Sequence, residues 1–146
     1  MESYIFTKAV HLYDKLGVEA SEESDSYFDV LLREMSVGYL CGFGYAPCVE
    51  VAKKQFELWM AAVDPDSASA NPIDEGLRAI FYCTAVKAGG SKASEILRDS
   101  LHKYNVQEMQ EWNFLMDRYM GTSNSIEQRN IMAGLGCSTD AETLNR

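Results

Sequence analysis

Two histidines, His11 and His102, stand far apart in this chain of 146 residues. A hydrolytic zinc site needs two imidazoles one helical turn apart, so that both reach one metal, with a carboxylate beside the bound water. Neither histidine has such a neighbour, so both read as helix-surface or partly packed residues. No Gly-x-Ser-x-Gly elbow and no phosphate-cradling glycine loop occurs; Gly42-Phe43-Gly44 reads as a turn between helices because Pro47 follows it. The expectation is therefore no catalytic residue, no metal ligand and no cofactor within this chain.

Four cysteines, Cys41, Cys48, Cys83 and Cys137, are the remaining reactive groups. Cys41 and Cys48 are too widely spaced for Cys-x-x-Cys redox chemistry and untypical of a structural zinc site. From the residues alone, buried thiols and disulfides are both open. Arg78 follows Leu77 in an otherwise apolar stretch, so its guanidinium either pairs with an acidic neighbour or points into a cavity where a peptide carboxylate binds. Trp59, Phe81, Tyr82, Trp112, Phe114 and Tyr119 recur at helical spacing and read as core, each stabilising the fold by roughly 1.5–3 kcal/mol.

A formal net charge of −9 without a basic stripe argues against a nucleic-acid partner. No apolar run approaches the roughly 18 residues of a membrane span, and the N-terminus lacks a basic stretch before an apolar one. Any anchor or signal is thus expected upstream of Met1. Apolar residues make up 47% of the chain, enough for one sizeable core.

Helical periodicity dominates. Residues 2 to 16 form a first helix stopped by Gly17. Ser24 or Asp25 caps a second, which carries Phe28, Leu31, Leu32, Met35 and Tyr39 on one face. Tyr27, Val30, Val37 and Leu40 make its other side apolar, which predicts a helix sandwiched between neighbours. Pro47 opens a third helix lined by Val51, Ala52, Trp59 and Val63, and a loop from Asp64 to Asn71 follows. Pro72 opens a fourth, with Leu77, Ile80, Phe81 and Thr84 inward, ending at Gly89-Gly90. Ser91 caps a fifth, carrying Ala93, Leu97, Leu101 and Tyr104. A sixth holds Trp112, Leu115, Met116 and Tyr119 and stops at Gly121. Ser125 to Gln128 reads as a capping box for a seventh, with Ile131, Met132 and Leu135 inward. Thr139 to Glu142 begins another just before Arg146, which implies a fragment of a longer polypeptide. The predicted class is all-α, an α-solenoid of antiparallel helix pairs of the HEAT or armadillo kind with about seven helices.

Several segments in this order resemble the C-terminal helical domain of zinc aminopeptidases of the aminopeptidase N type: Leu12 to Gly17, Phe56 to Met60, Asn71 to Cys83, Glu111 to Leu115 with Tyr119, Thr122 to Gln128, and Leu135 to Arg146. Two features depart from the pattern. Asp74 stands where many relatives have Pro, and Ser91 to Gln110 is an insertion where the family moves almost directly from Gly-Gly to Glu-Trp. The resemblance implies that residues 1–146 are one fragment of a C-terminal helical-repeat domain, with the catalytic zinc domain elsewhere. It further implies a non-catalytic role, covering the active-site cavity of an enzyme that removes N-terminal residues from peptides and shaping peptide access. Its implied partners are the catalytic domain of the same polypeptide, the peptide substrate and a second copy in a homodimer.

In extracellular members of that group one cysteine pair crosses a helix turn and a second joins the Leu-Arg-x-x-x-Tyr-Cys helix to the Ala-Cys-Ser region. The resemblance therefore pairs Cys41 with Cys48 and Cys83 with Cys137. It places the parent as an extracellular or membrane-anchored ectodomain, or in the cytoplasm if the four thiols are free. The reading from a different class is a stand-alone α-solenoid adaptor that binds a protein or peptide.

Overall fold

The computed structural model describes residues 2–21, 25–67, 69–96 and 110–138. Among them are six α-helices, one short 3-10 turn and no strand. The helices are α1 (Glu2–Leu16), α2 (Tyr27–Gly42), α3 (Ala46–Met60), α4 (Arg78–Ile96), α5 (Gln110–Gly121) and α6 (Ser125–Leu135). The all-α class stands.

Glycine ends α1 as its sequence suggests. Gly17 adopts φ +62°, and its N–H donates to the Tyr13 carbonyl at 2.9 Å. The cap of α2 is Ser26 rather than Ser24 or Asp25. Its hydroxyl accepts from the Asp29 N–H while the Asp29 carboxylate accepts from the Ser26 N–H. Asp25 is occupied elsewhere, pairing with Arg33 at 2.7 Å and accepting from the Ser21 N–H. Both carboxylates titrate below the ordinary range, Asp29 because the Ser26 side chain and backbone bond its ionised form, Asp25 because the Ser21 N–H and then Arg33 do. A folded-state value below the unfolded one favours the fold at neutral pH, and that contribution disappears as the pH falls through the lowered values.

The second helix differs most from expectation. Phe28 and Met35 are 72% and 70% exposed, whereas Val37, Leu40 and Cys41 are buried. Small residues choose the inner side. Ser36 is buried and Gly38 lies where a Cβ would sit 3.4 Å from Ile80 Cδ1, so α4 packs close against that face. Tyr27, Leu31 and Leu32 join Phe28 and Met35 on an outer apolar face that no element among the described residues covers.

A tight turn with Gly44 at φ +75° leads into α3, and Pro47 occupies its first turn. This helix buries Cys48, Ala52, Phe56 and Trp59 but ends at Met60, leaving Val63 fully exposed instead of lining it. The Trp59 indole N–H donates to the Pro65 carbonyl at 3.1 Å and fastens the following loop.

Pro72 does not open the fourth helix. Asp74 accepts from the Gly76 N–H and starts a 3-10 turn, Glu75–Leu77, and α4 begins at Arg78. Nor do Gly89 and Gly90 end it; α4 runs on to Ile96 and absorbs Ser91, expected as the next cap. A helical glycine costs only about 1 kcal/mol, which an already propagating helix tolerates. The rest of the expected fifth helix, with His102, lies outside the described residues, as does the turn expected at Thr139 to Glu142. The cap of α6 is Asn124, whose side chain accepts from the N–H groups of Ile126 and Glu127; Ser125 is instead its first residue. Met132, expected inward, is mostly exposed, and Asn130 and Gly134 take the inner positions.

The fourth helix organises the core by packing on α2, α3, α5 and α6. Phe56, Trp59, Tyr82 and Phe114 form its aromatic centre, with Trp59 and Tyr82 stacked at 5.1 Å between ring centroids. The approach of α6 to α4 depends on Gly134. A Cβ there would lie 2.6 Å from Tyr82 Cβ and 2.9 Å from Leu115 Cδ1. Gly134→Ala is therefore expected to lose about 2 kcal/mol, since overpacking outweighs the gain in helix propensity. Urea unfolding checks it; an unchanged midpoint would show that the two helices separate without cost.

Candidate functional site

Arg78 is the first residue of α4, reached through the 3-10 turn that Asp74 caps. That entry aims its guanidinium across to the start of α6. Its Nη1 donates to Glu127 Oε2 at 3.0 Å, and its Nε donates to the Ile73 carbonyl at 3.3 Å. The two side chains are 18% and 15% exposed, so the pair is partly desolvated. Glu127 accepts a second hydrogen bond from the Tyr82 hydroxyl, and the Asn71 amide donates to that hydroxyl at 2.7 Å. Burial, reinforced by the Glu127 acceptor, pushes the Tyr82 phenol far above its usual range, which favours the protonated hydroxyl that donates to Glu127.

The network borders a cavity of about 280 Å³. Trp59 and Ile131 form apolar wall, and Arg118 lines the cavity together with Arg78. Arg118 binds Asp66 at 2.9 Å, a partner that is 62% exposed, and its guanidinium lies 5.5 Å from the Phe114 ring centre. Asp66, Glu75 and Glu127 line it as well, so its two guanidinium groups face three carboxylates, two of which already pair with them. Sequence reasoning singled out Arg78 but missed Glu127, Arg118 and Asn71. Glu127 fell between Ser125 and Gln128, the two paired residues of the expected capping box, and its carboxylate instead accepts from Arg78.

Among the expected core aromatics, Trp59, Phe81 and Tyr82 are buried, and Trp112, Phe114 and Tyr119 pack partly buried against them. Cys41 is bonded to Cys48 and Cys83 to Cys137, each pair with Cα atoms 5.2 Å apart. The first bond staples the turn from α2 to α3; the second ties α4 to the turn after α6. His11 is exposed on α1. No group of three or more His, Cys, Asp or Glu able to hold a metal occurs among the described residues. No helix among them is long and apolar enough to cross a membrane.

Comparison with known proteins matches the ERAP1-like C-terminal domain family over residues 1–146. Aminopeptidase N of Bos taurus is 24% identical over 149 residues, an alignment covering 100% of this chain and 13% of that protein. Aminopeptidase N of Homo sapiens is 25% identical over 125 residues, covering 86% of this chain and 10% of the relative. Endoplasmic reticulum aminopeptidase 2 of Homo sapiens is 25% identical over 134 residues, with 90% and 11% covered. The chain thus spans 13% or less of the length of these relatives. No solved structure gives a significant match.

Proposed function

Because the chain belongs to the ERAP1-like C-terminal domain family, we propose that it is the non-catalytic C-terminal region of a zinc-dependent aminopeptidase, covering the active-site cavity and shaping peptide access to it. The observation that carries this reading is the family match along the entire chain. On this reading the zinc and the hydrolytic step belong to another part of the parent polypeptide.

Within that reading the parent's catalytic domain is the partner, and the outer apolar face of α2 is surface for stacking further helices of the same polypeptide. A second copy, forming a homodimer, is a further partner. The disulfides, together with relatives named as an endoplasmic reticulum aminopeptidase and as the thyrotropin-releasing hormone-degrading ectoenzyme, favour an extracellular or membrane-anchored location facing an oxidising compartment. On this reading the distal part of the substrate peptide reaches the cavity that Arg118 borders.

The 146-residue chain alone should release no amino acid from aminoacyl reporter substrates; turnover by it would overturn the assignment. In the parent enzyme, Arg118→Ala should raise KM for peptides several-fold while leaving a single-aminoacyl reporter unaffected. Arg118 suits this test because its ion-pair partner Asp66 is largely solvated, so its loss costs little stability. Equal effects on reporter and peptide, or none on either, would remove the cavity from the peptide's path.

A further inference from the structure

The two disulfides differ in what surrounds them. Cys41 and Cys48 are 6% and 0% exposed, closed within the turn from α2 to α3. Cys83 and Cys137 are partly exposed and line a mainly apolar groove of about 290 Å³, with Ile80, Thr84, Lys87 and Ala133 around them. Cys41 also borders that groove, but as a nearly buried residue whose partner is fully enclosed. Thiol exchange requires access to a sulfur along the axis of the bond and a leaving sulfur that carries negative charge well.

The two ends of the exposed bond are unequal. Cys83 lies within α4, and Lys87 follows it by four residues, which places the ammonium on the same helical face. Cys137 sits just past α6, its N–H donating to the Gly134 carbonyl at 3.1 Å. That is the end of a helix, where the backbone carbonyls disfavour a thiolate. A thiolate is therefore better accommodated at Cys83 than at Cys137.

We propose that the Cys83–Cys137 bond is a thiol-exchange site, taking a small monothiol onto Cys137 and releasing Cys83 as a thiolate beside Lys87. The incoming thiol gives its proton to water, and its sulfur attacks Cys137 Sγ. The protein disulfide breaks as the new S–S bond forms, and the Cys83 thiolate recovers a proton from water. One thiol and one disulfide are consumed, and one of each is formed. The helices stay together because Gly134 remains against Tyr82, and Arg78 remains bonded to Glu127 at the other end of α6. Exchange is thus a local opening, and it stands independently of the peptidase assignment.

Reduced glutathione is the probe. The folded 146-residue chain is incubated with it, quenched in acid, alkylated and mapped by mass spectrometry. Glutathione on Cys137 and alkyl on Cys83, with Cys41–Cys48 intact and far-UV circular dichroism unchanged, is the expected product. Lys87→Gln should slow its formation a few-fold, and Lys87→Arg should retain the native rate. Glutathione on Cys83, earlier reaction at Cys41 or Cys48, or modification only after loss of helix would overturn the site. Equal rates for Lys87→Gln and the native chain would overturn the part given to Lys87.

Discussion

Replacing Cys83 and Cys137 together by alanine will lower the stability of the chain by about 4 kcal/mol, the chain-entropy value for a covalent loop of this length. The bond closes a separation of 54 residues, against 7 for Cys41–Cys48. On the same relation the short loop constrains the unfolded chain by only about 2 kcal/mol. Urea unfolding of both double variants, compared with the native chain, checks the order. A loss below about 1 kcal/mol for the long bond would place its effect outside the unfolded ensemble, against the model. The variant should still fold, because native domains hold on the order of 5–15 kcal/mol.

Arg78→Met is expected to cost about 3 kcal/mol, since it leaves the Glu127 carboxylate partly buried with the Tyr82 hydroxyl as its remaining hydrogen-bond donor. Glu127→Gln should cost less, because the amide oxygen still accepts from Arg78 or Tyr82. Pairing Arg78→Met with Glu127→Met removes both charges, and the double variant should recover part of the loss, with a coupling energy of about 1–3 kcal/mol. The cycle is read from urea midpoints. Additive losses would mean that the two groups contribute separately and that the 3.0 Å contact carries no coupling.

Six of the seven expected helices were legible from periodicity, the one expected from Ser91 being the exception; boundaries were not where two signals competed. Ser26 caps α2 while Asp25 is engaged with Arg33, and Asn124 caps α6 because Ser125 sits one position inside that helix. Gly89-Gly90 looked like a stop, yet glycine weakens a helix without forbidding it, and α4 passes through both. Which face of α2 turns inward was undecidable from hydrophobicity, since both are apolar; Gly38 and Ser36 settle it by admitting α4. The candidate site was legible only at Arg78. Its partner Glu127 lies 49 residues away, a long-range pairing that no local pattern reports.

The Cys83–Cys137 bond also has an evolutionary consequence. Its ends stay fixed 5.2 Å apart, and the segment Ser91 to Gln110, expected from the sequence to be an insertion, lies within the loop that it closes. Closure entropy grows only with the logarithm of length, so even doubling such a loop costs about 0.6 kcal/mol. Insertion inside a covalent ring is thus nearly neutral for the fold, and lineages can lengthen and diversify this segment while the helices that anchor it stay in register.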